Sequence, residues 1–145
     1  MPDVVFMELG FPILLLACPM VEIWGEQVPD VDMGWIQDTA YDALMTRPER
    51  LTGAQVRFIR HHHRMRQADL ARVLNLANHS AVSVWESRED DPAGMDYNTE
   101  VLLRVWMAAK TGRTDRLLDL LEKDLKGLRP DPSPEPLRIA VPRAA

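Results

Sequence analysis

The chain has 145 residues, 46% of them apolar, with 17 Lys and Arg against 22 Asp and Glu and a net charge of -5, which fits a soluble globular protein. Its longest apolar stretch, Phe11 to Val21, is broken by Pro12 and Pro19 and falls short of the ~20 residues that span a membrane. With Arg47 as the first basic residue and Cys18 as the lone cysteine, a secretory signal, an intrachain disulfide and a cysteine-built zinc knuckle are not expected, and a cytoplasmic, membrane-free protein is.

Residues 1–46 carry eight acidic side chains and no Lys, Arg or His. Within them Val4 to Leu9, Ile13 to Cys18 and Met20 to Trp24 are short apolar runs separated by Gly10-Phe11-Pro12 and Pro19, the pattern of a small antiparallel sheet. Gly25 and Pro29 are expected to end it. From Met33 to Thr46 the apolar spacing becomes three and four, through Trp35, Ile36, Thr39, Ala40, Ala43 and Leu44, which predicts an amphipathic helix. Arg47-Pro48-Glu49-Arg50 reads as a linker.

Residues 47–88 invert the charge, with eight Arg against three acidic residues, and they hold all four His. Thr52-Gly53-Ala54-Gln55 is a capping-box pattern that should start a helix bearing Val56, Ile59 and His63 on one face and Arg57, Arg60 and Arg64 on others. Short helices over Gln67 to Leu74 and Ser80 to Ser87, joined by Asn75 to His79, complete a helix-turn-helix unit. Further on, Asn98 or Thr99 should cap a helix through Val101, Leu102, Val105 and Trp106 that closes near Gly112. A last helix is predicted from Thr114 to Gly127 on the stripe Leu117, Leu118, Leu121 and Leu125, which serves the core or a dimer face. Pro130, Pro132, Pro134 and Pro136 predict an extended tail, whose end, Leu137 to Val141, is either untethered or an added strand on a partner's sheet. The expected fold class is α+β. Residues 1–48 form an acidic β/α module with a small antiparallel sheet and a helix, 49–128 a five-helix domain built on the helix-turn-helix unit, and 129–145 a Pro-rich tail.

The run Gln67-Ala68-Asp69-Leu70-Ala71-Arg72-Val73-Leu74, followed by Ala81-Val82-Ser83-Val84-Trp85-Glu86, resembles the lambda-repressor-like (Xre-type) helix-turn-helix family. The family's order of Gln, Leu-Ala, Leu and then Val-Ser, Trp-Glu is met by Gln67, Leu70, Ala71, Leu74, Val82, Ser83, Trp85 and Glu86. Leu70, Leu74, Val82 and Trp85 are expected to form the core wedge, and Ala71 to allow a close helix crossing. Asn75 stands where the family commonly has a turn glycine, and Asn tolerates left-handed backbone angles. The segment between Leu74 and Val82 is one residue longer than the usual pattern, which leaves the start of the recognition helix open by one position. The Leu51-Thr52-Gly53 start, with Trp24-Gly25-Glu26 in the preceding sheet, is also similar to the MqsA-type antitoxins, here without their zinc-binding cysteines.

The resemblance implies that Gln67 positions the chain on phosphate, and that His79, Ser80, Ser83 and Val84 face base edges, with Asn78 in reserve. Asn78 and Ser80 also suit helix capping, and Val84 suits either a thymine methyl or an idle surface site. Arg57, Arg60, Arg64, Arg66, Arg72 and Arg88 are the candidates for a phosphate clamp, although an arginine-rich helix is also a common solvated face. The His61-His62-His63 run does not suit a metal, because consecutive helical residues diverge by about 100°. Partial burial of His63 and phosphate contact by the others are expected instead. No phosphate loop, nucleophile motif or convincing carboxylate pair is present, so neither an enzyme nor a cofactor site is expected. The expected function is sequence-specific regulation of transcription, as a repressor that binds an inverted repeat of double-stranded DNA as a homodimer. The alternative is an antitoxin-type protein whose residues 1–46 neutralise a basic toxin.

Overall fold

The computed structural model describes residues 1–113 and 135–142 together with positions 115, 119 and 122. The helix expected over 114–127 and most of the Pro-rich segment therefore lie outside the described residues. The described residues form a mixed α+β structure with five helices and two small sheets, and none of these helices is long and apolar enough to cross a membrane. It divides into two compact units, Met1–Asp42 with Pro134–Ala145, and Ala43–Ser133.

In the first unit β1 (Val4–Phe6) pairs antiparallel with β2 (Ile13–Leu16), with Val5 opposite Leu14. The other edge of β2 carries β5 (Leu137–Ala140), which runs parallel to it with Leu14 opposite Arg138. This corrects two expectations. The sheet is mixed, and the chain's end is neither untethered nor lent to a partner, because it is a strand of its own first unit. No proline falls between Pro136 and Pro142, and the alternation there turns Leu137 and Ile139 inward with Ile13 and Leu15 while Arg138 and Ala140 face out.

The third predicted strand also departs from expectation. β3 (Met20–Ile23) leaves the first sheet and pairs with β4 (Glu26–Pro29) as a separate hairpin, so Gly25 is its turn and not its end. Pro19 has no N–H for a ladder, and Ala17 before it takes a φ of 50°, so the strand breaks between β2 and β3. Asp32 Oδ1 then accepts from Gly34 N at 2.9 Å and starts α1 (Met33–Thr46), which buries Ile36, Ala40, Tyr41, Leu44 and Met45.

The second unit holds α2 (Gly53–His62), α3 (Gln67–Val73), α4 (Ser80–Ser87) and α5 (Tyr97–Lys110). The Thr52–Gln55 capping box forms as expected, through bonds of 3.0 and 3.2 Å. Leu70, Ala71, Leu74, Val82 and Trp85 are all buried, and Asn75 adopts a φ of 56°, the left-handed turn residue after α3.

α5 is out of phase with its prediction. Asp96, and neither Asn98 nor Thr99, is its cap, accepting from Thr99 N at 2.7 Å, and hydrogen bonding from the Thr99 side chain and then from its backbone holds the Asp96 carboxyl below its ordinary range. The fully buried residues are Glu100, Leu103, Arg104, Met107 and Ala108, while Leu102 is 44% exposed. The reason is a buried ion pair. Arg104 donates to Glu100 at 2.8 Å, and its guanidinium also reaches the Glu49 carbonyl at 2.7 Å and the Arg47 carbonyl. Glu100 in turn accepts from Arg50 at 3.0 Å and from Leu51 N at 3.2 Å. The segment read as a linker is thus strapped to α5 by its own backbone. Burial lowers the pKa of Arg104, and its Nε has no partner among the described residues.

Breaking this pair from one side leaves a buried charge. Glu100→Ala and Arg104→Met should each cost about 3–5 kcal/mol by urea denaturation, and Glu100→Leu combined with Arg104→Met should recover part of that loss. Single-variant costs below ~1 kcal/mol would show that the strap is not structural.

Candidate nucleic-acid interface

α4 presents two chemically distinct faces. Val82, Trp85 and Glu86 are buried, whereas Ser80, Ser83, Val84 and Ser87 are exposed, with Val84 at 50%. His79 occupies the N-cap position and is exposed. Asn78 Oδ1 accepts from Ser80 N at 2.8 Å, so the capping role weighed for Asn78 is realised. Among the described residues the side chains of His79, Ser80 and Ser83 make no hydrogen bond. Arg72, Asn78 and His79 line one cleft of about 280 Å³, floored by Ala68, Ala71, Leu76 and Ala77, between α3 and the turn that leads into α4.

The buried face of α4 is anchored by charge. Glu86 is 3% exposed and receives Arg60 of α2 in a two-pronged pair, both bonds 2.7 Å, while Arg60 also donates to the Met65 carbonyl at 2.9 Å. Gln67 at the start of α3 donates to the same carboxylate at 3.5 Å. Arg57 approaches Glu86 at 3.7 Å, donates to its carbonyl at 2.7 Å and pairs with Glu89 at 2.7 and 3.2 Å. The bonds to Glu89 raise the Arg57 pKa and lower that of Glu89. Three helices therefore meet at one carboxylate.

The six candidate clamp arginines accordingly separate. Arg60 is committed to the buried Glu86, Arg57 to the Glu86 carbonyl and the exposed Glu89, and Arg88 donates to the Ala93 carbonyl at 2.8 Å while lying against Gly94. Arg66 and Arg72 stay 78% and 74% exposed, although both touch Asp69, at 3.1 and 3.4 Å. Asp69 also accepts from Arg66 N, and these bonds hold its pKa down at about 2. Solvated pairs of this kind are worth little and exchange readily for other anions. Arg64 is exposed, with a φ of 54° where the chain leaves α2. Gln67 is only half-exposed and shared with Glu86, and Arg72 alone of the six lines the cleft beside Asn78 and His79.

Glu86 and Gly53 carry more of this arrangement than their sequence positions suggest. A Cβ at Gly53 would strike the Trp85 carbonyl oxygen and lie 2.9 Å from Glu89 N, so glycine is what lets α2 start against the end of α4. Backbone bonds from Ala54 N to the Glu89 carbonyl, 2.9 Å, and from Ala93 N to the Leu51 carbonyl, 3.1 Å, fasten the crossing. The signal for Glu86 was available, since it is an acidic residue within a basic segment and in register with a motif.

Of the His run, His63 is the member packed into the structure, and His61 is exposed. His63 is half-buried with its ring 4.6 Å from that of Trp106, and its pKa is lowered by burial, then by His62 and Lys110. Among the described residues no group of three His, Cys, Asp or Glu is placed to hold a metal ion. Burial and Asp30 raise the pKa of the Cys18 thiol. No protein-family model matches the chain, and comparison with curated proteins and with solved structures finds no match.

Two measurements check this geometry. Gly53→Ala should cost about 1–3 kcal/mol in urea denaturation, because a backbone carbonyl has to yield. For His63 the folded pKa lies below the unfolded 6.5, so its contribution is present above that value and is lost as pH falls through the folded pKa. The urea midpoint should drop between pH 7 and 5, and His63→Phe should flatten that drop; an unchanged slope would show that His63 stays solvated.

Proposed function

We propose that the protein is a sequence-specific regulator that binds double-stranded DNA, a cytoplasmic repressor of the lambda-repressor-like helix-turn-helix kind. The observation that carries this reading is the exposed face of α4. His79, Ser80, Ser83 and Val84 stand on a short helix whose opposite face is held by Trp85 and by the Glu86 ion pairs. A helix of this length fits the major groove, where hydroxyl and imidazole groups read base edges and Val84 meets a thymine methyl. Arg72, and with it Arg64 and Arg66, supplies phosphate contacts, and Asn78 adds one from the cleft. Asp69 gives up its two exposed arginines to phosphate at little cost. One such unit reads few base pairs, so a homodimer on an inverted repeat supplies the affinity.

A selection for bound DNA sequences gives the operator on which the roles separate. On it, Arg64→Ala and Arg72→Ala should each flatten the dependence of log affinity on log salt by about one unit. Arg60→Ala should instead lower the unfolding midpoint. Ser83→Ala should cost about 1–3 kcal/mol on the selected site and nothing on random DNA. Equal losses on both sequences, or no enrichment of any sequence, would refute base reading by α4.

A further inference from the structure

The β3–β4 hairpin ends in a side chain that the fold does not use. Trp24 is 95% exposed at its tip, and Val21 and Ile23, two residues apart and so on one face of β3, are 38% and 49% exposed. Trp24 and Gly25 form the turn with φ values of 54° and 82°, both left-handed. A two-residue turn of that kind favours Asn or Asp ahead of Gly, and a bulky residue there carries a conformational penalty. Neither burial nor backbone preference accounts for a tryptophan at this position.

We propose that this hairpin is a docking finger for a protein partner whose surface rings an apolar socket with Arg and Lys side chains. Charge selects the occupant. Glu22 lies within β3, Glu26 faces Ile23 across the ladder, both are exposed, no basic residue precedes Arg47, and Arg138, the one basic side chain among the described residues of this unit, is paired with Glu135 at 3.5 Å. That field repels nucleic acid, an anionic membrane and the same finger of a second copy, and it steers a cationic surface toward the tip. The indole supplies what such a surface takes up, a large apolar plate that also accepts a guanidinium over its ring. The hairpin's four ladder pairs hold the plate in place before binding, which limits the ordering cost. The inference is independent of DNA binding, which involves a different unit of the chain.

The test is photo-crosslinking followed by titration. The full chain with Trp24→p-benzoylphenylalanine is irradiated in its cell of origin, and the adduct is identified and produced as a pure protein. The expected adduct is a single basic protein whose affinity for the wild-type chain falls with salt. Trp24→Asn should weaken it by about 30-fold or more, as for a central aromatic anchor, while the unfolding midpoint rises or holds because Asn suits the turn. Glu22→Lys with Glu26→Lys should slow association by about 10-fold at low salt. Adducts to a second copy or to nucleic acid, no adduct, or a captured protein indifferent to Trp24→Asn would each overturn the proposal. DNA binding by Trp24→Asn is measured in parallel and should be unchanged, so failure of one reading does not imitate failure of the other.

Discussion

The carboxylate of Glu86 is the constraint on which the orientation of α4 depends. It is buried, so it requires donors, and it draws them from elements far apart in sequence, Arg60 and Arg57 of α2 and Gln67 of α3. A hydrophobic contact would hold α4 against α2 but would tolerate rotation, because burial has no direction. A two-pronged guanidinium–carboxylate pair does not, since both bonds are lost together if the helix turns. Gly53 adds the distance constraint by allowing backbone to meet backbone at the end of α4. With the buried face held in rotation and in separation, the exposed face is set without any contact of its own.

The second ionic centre does the same for the chain's route. Glu100 and Arg104 are one helical turn apart, and on a surface helix such a pair would be solvated and nearly neutral in energy. Here they are inside, and their remaining bonding capacity goes to Arg50, to Leu51 N and to the carbonyls of Arg47 and Glu49. The stretch before α2, which lacks regular structure, is thereby held to α5 by side chains. Both centres follow one rule, that a charge taken out of water must have every bond replaced. Among the described residues the replacement is incomplete at Arg104 Nε.

The segregation of charge has a parallel logic. The acidic residues of 1–46 and the arginines of 47–88 are kept in different stretches of sequence, and the structure spends much of the basic excess on its own groups, the buried Glu86, the exposed Glu89 and backbone carbonyls. What remains outward is a smaller set, Arg64, Arg66 and Arg72, with Arg88 exposed as well but donating to the Ala93 carbonyl. A formal charge count therefore overstates the positive surface, because several of the counted arginines are ligands of the fold.

Much of the architecture was legible from local signals. The capping box at Thr52, the left-handed Asn75, the wedge of Leu70, Leu74, Val82 and Trp85, and the bounds of α4 all rest on interactions within a few residues or on apolar periodicity. The separate β3–β4 hairpin was not, although Trp24-Gly25 was in view, because a tryptophan does not advertise a left-handed turn. The phase of α5 was misread because Glu100 and Arg104 look like solvent-facing charges until their partners, some fifty residues earlier, are brought to them. The six arginines were left unsorted for the same reason. The amino-acid sequence by itself determined where the described helices lie and which apolar residues form the wedge of α3 and α4, since those follow from backbone propensity and periodicity. The tertiary structure alone decided which charges are spent inside, which strand joins β2, and which side chains are left facing outward, because each depends on a partner distant in the chain whose position no local pattern encodes.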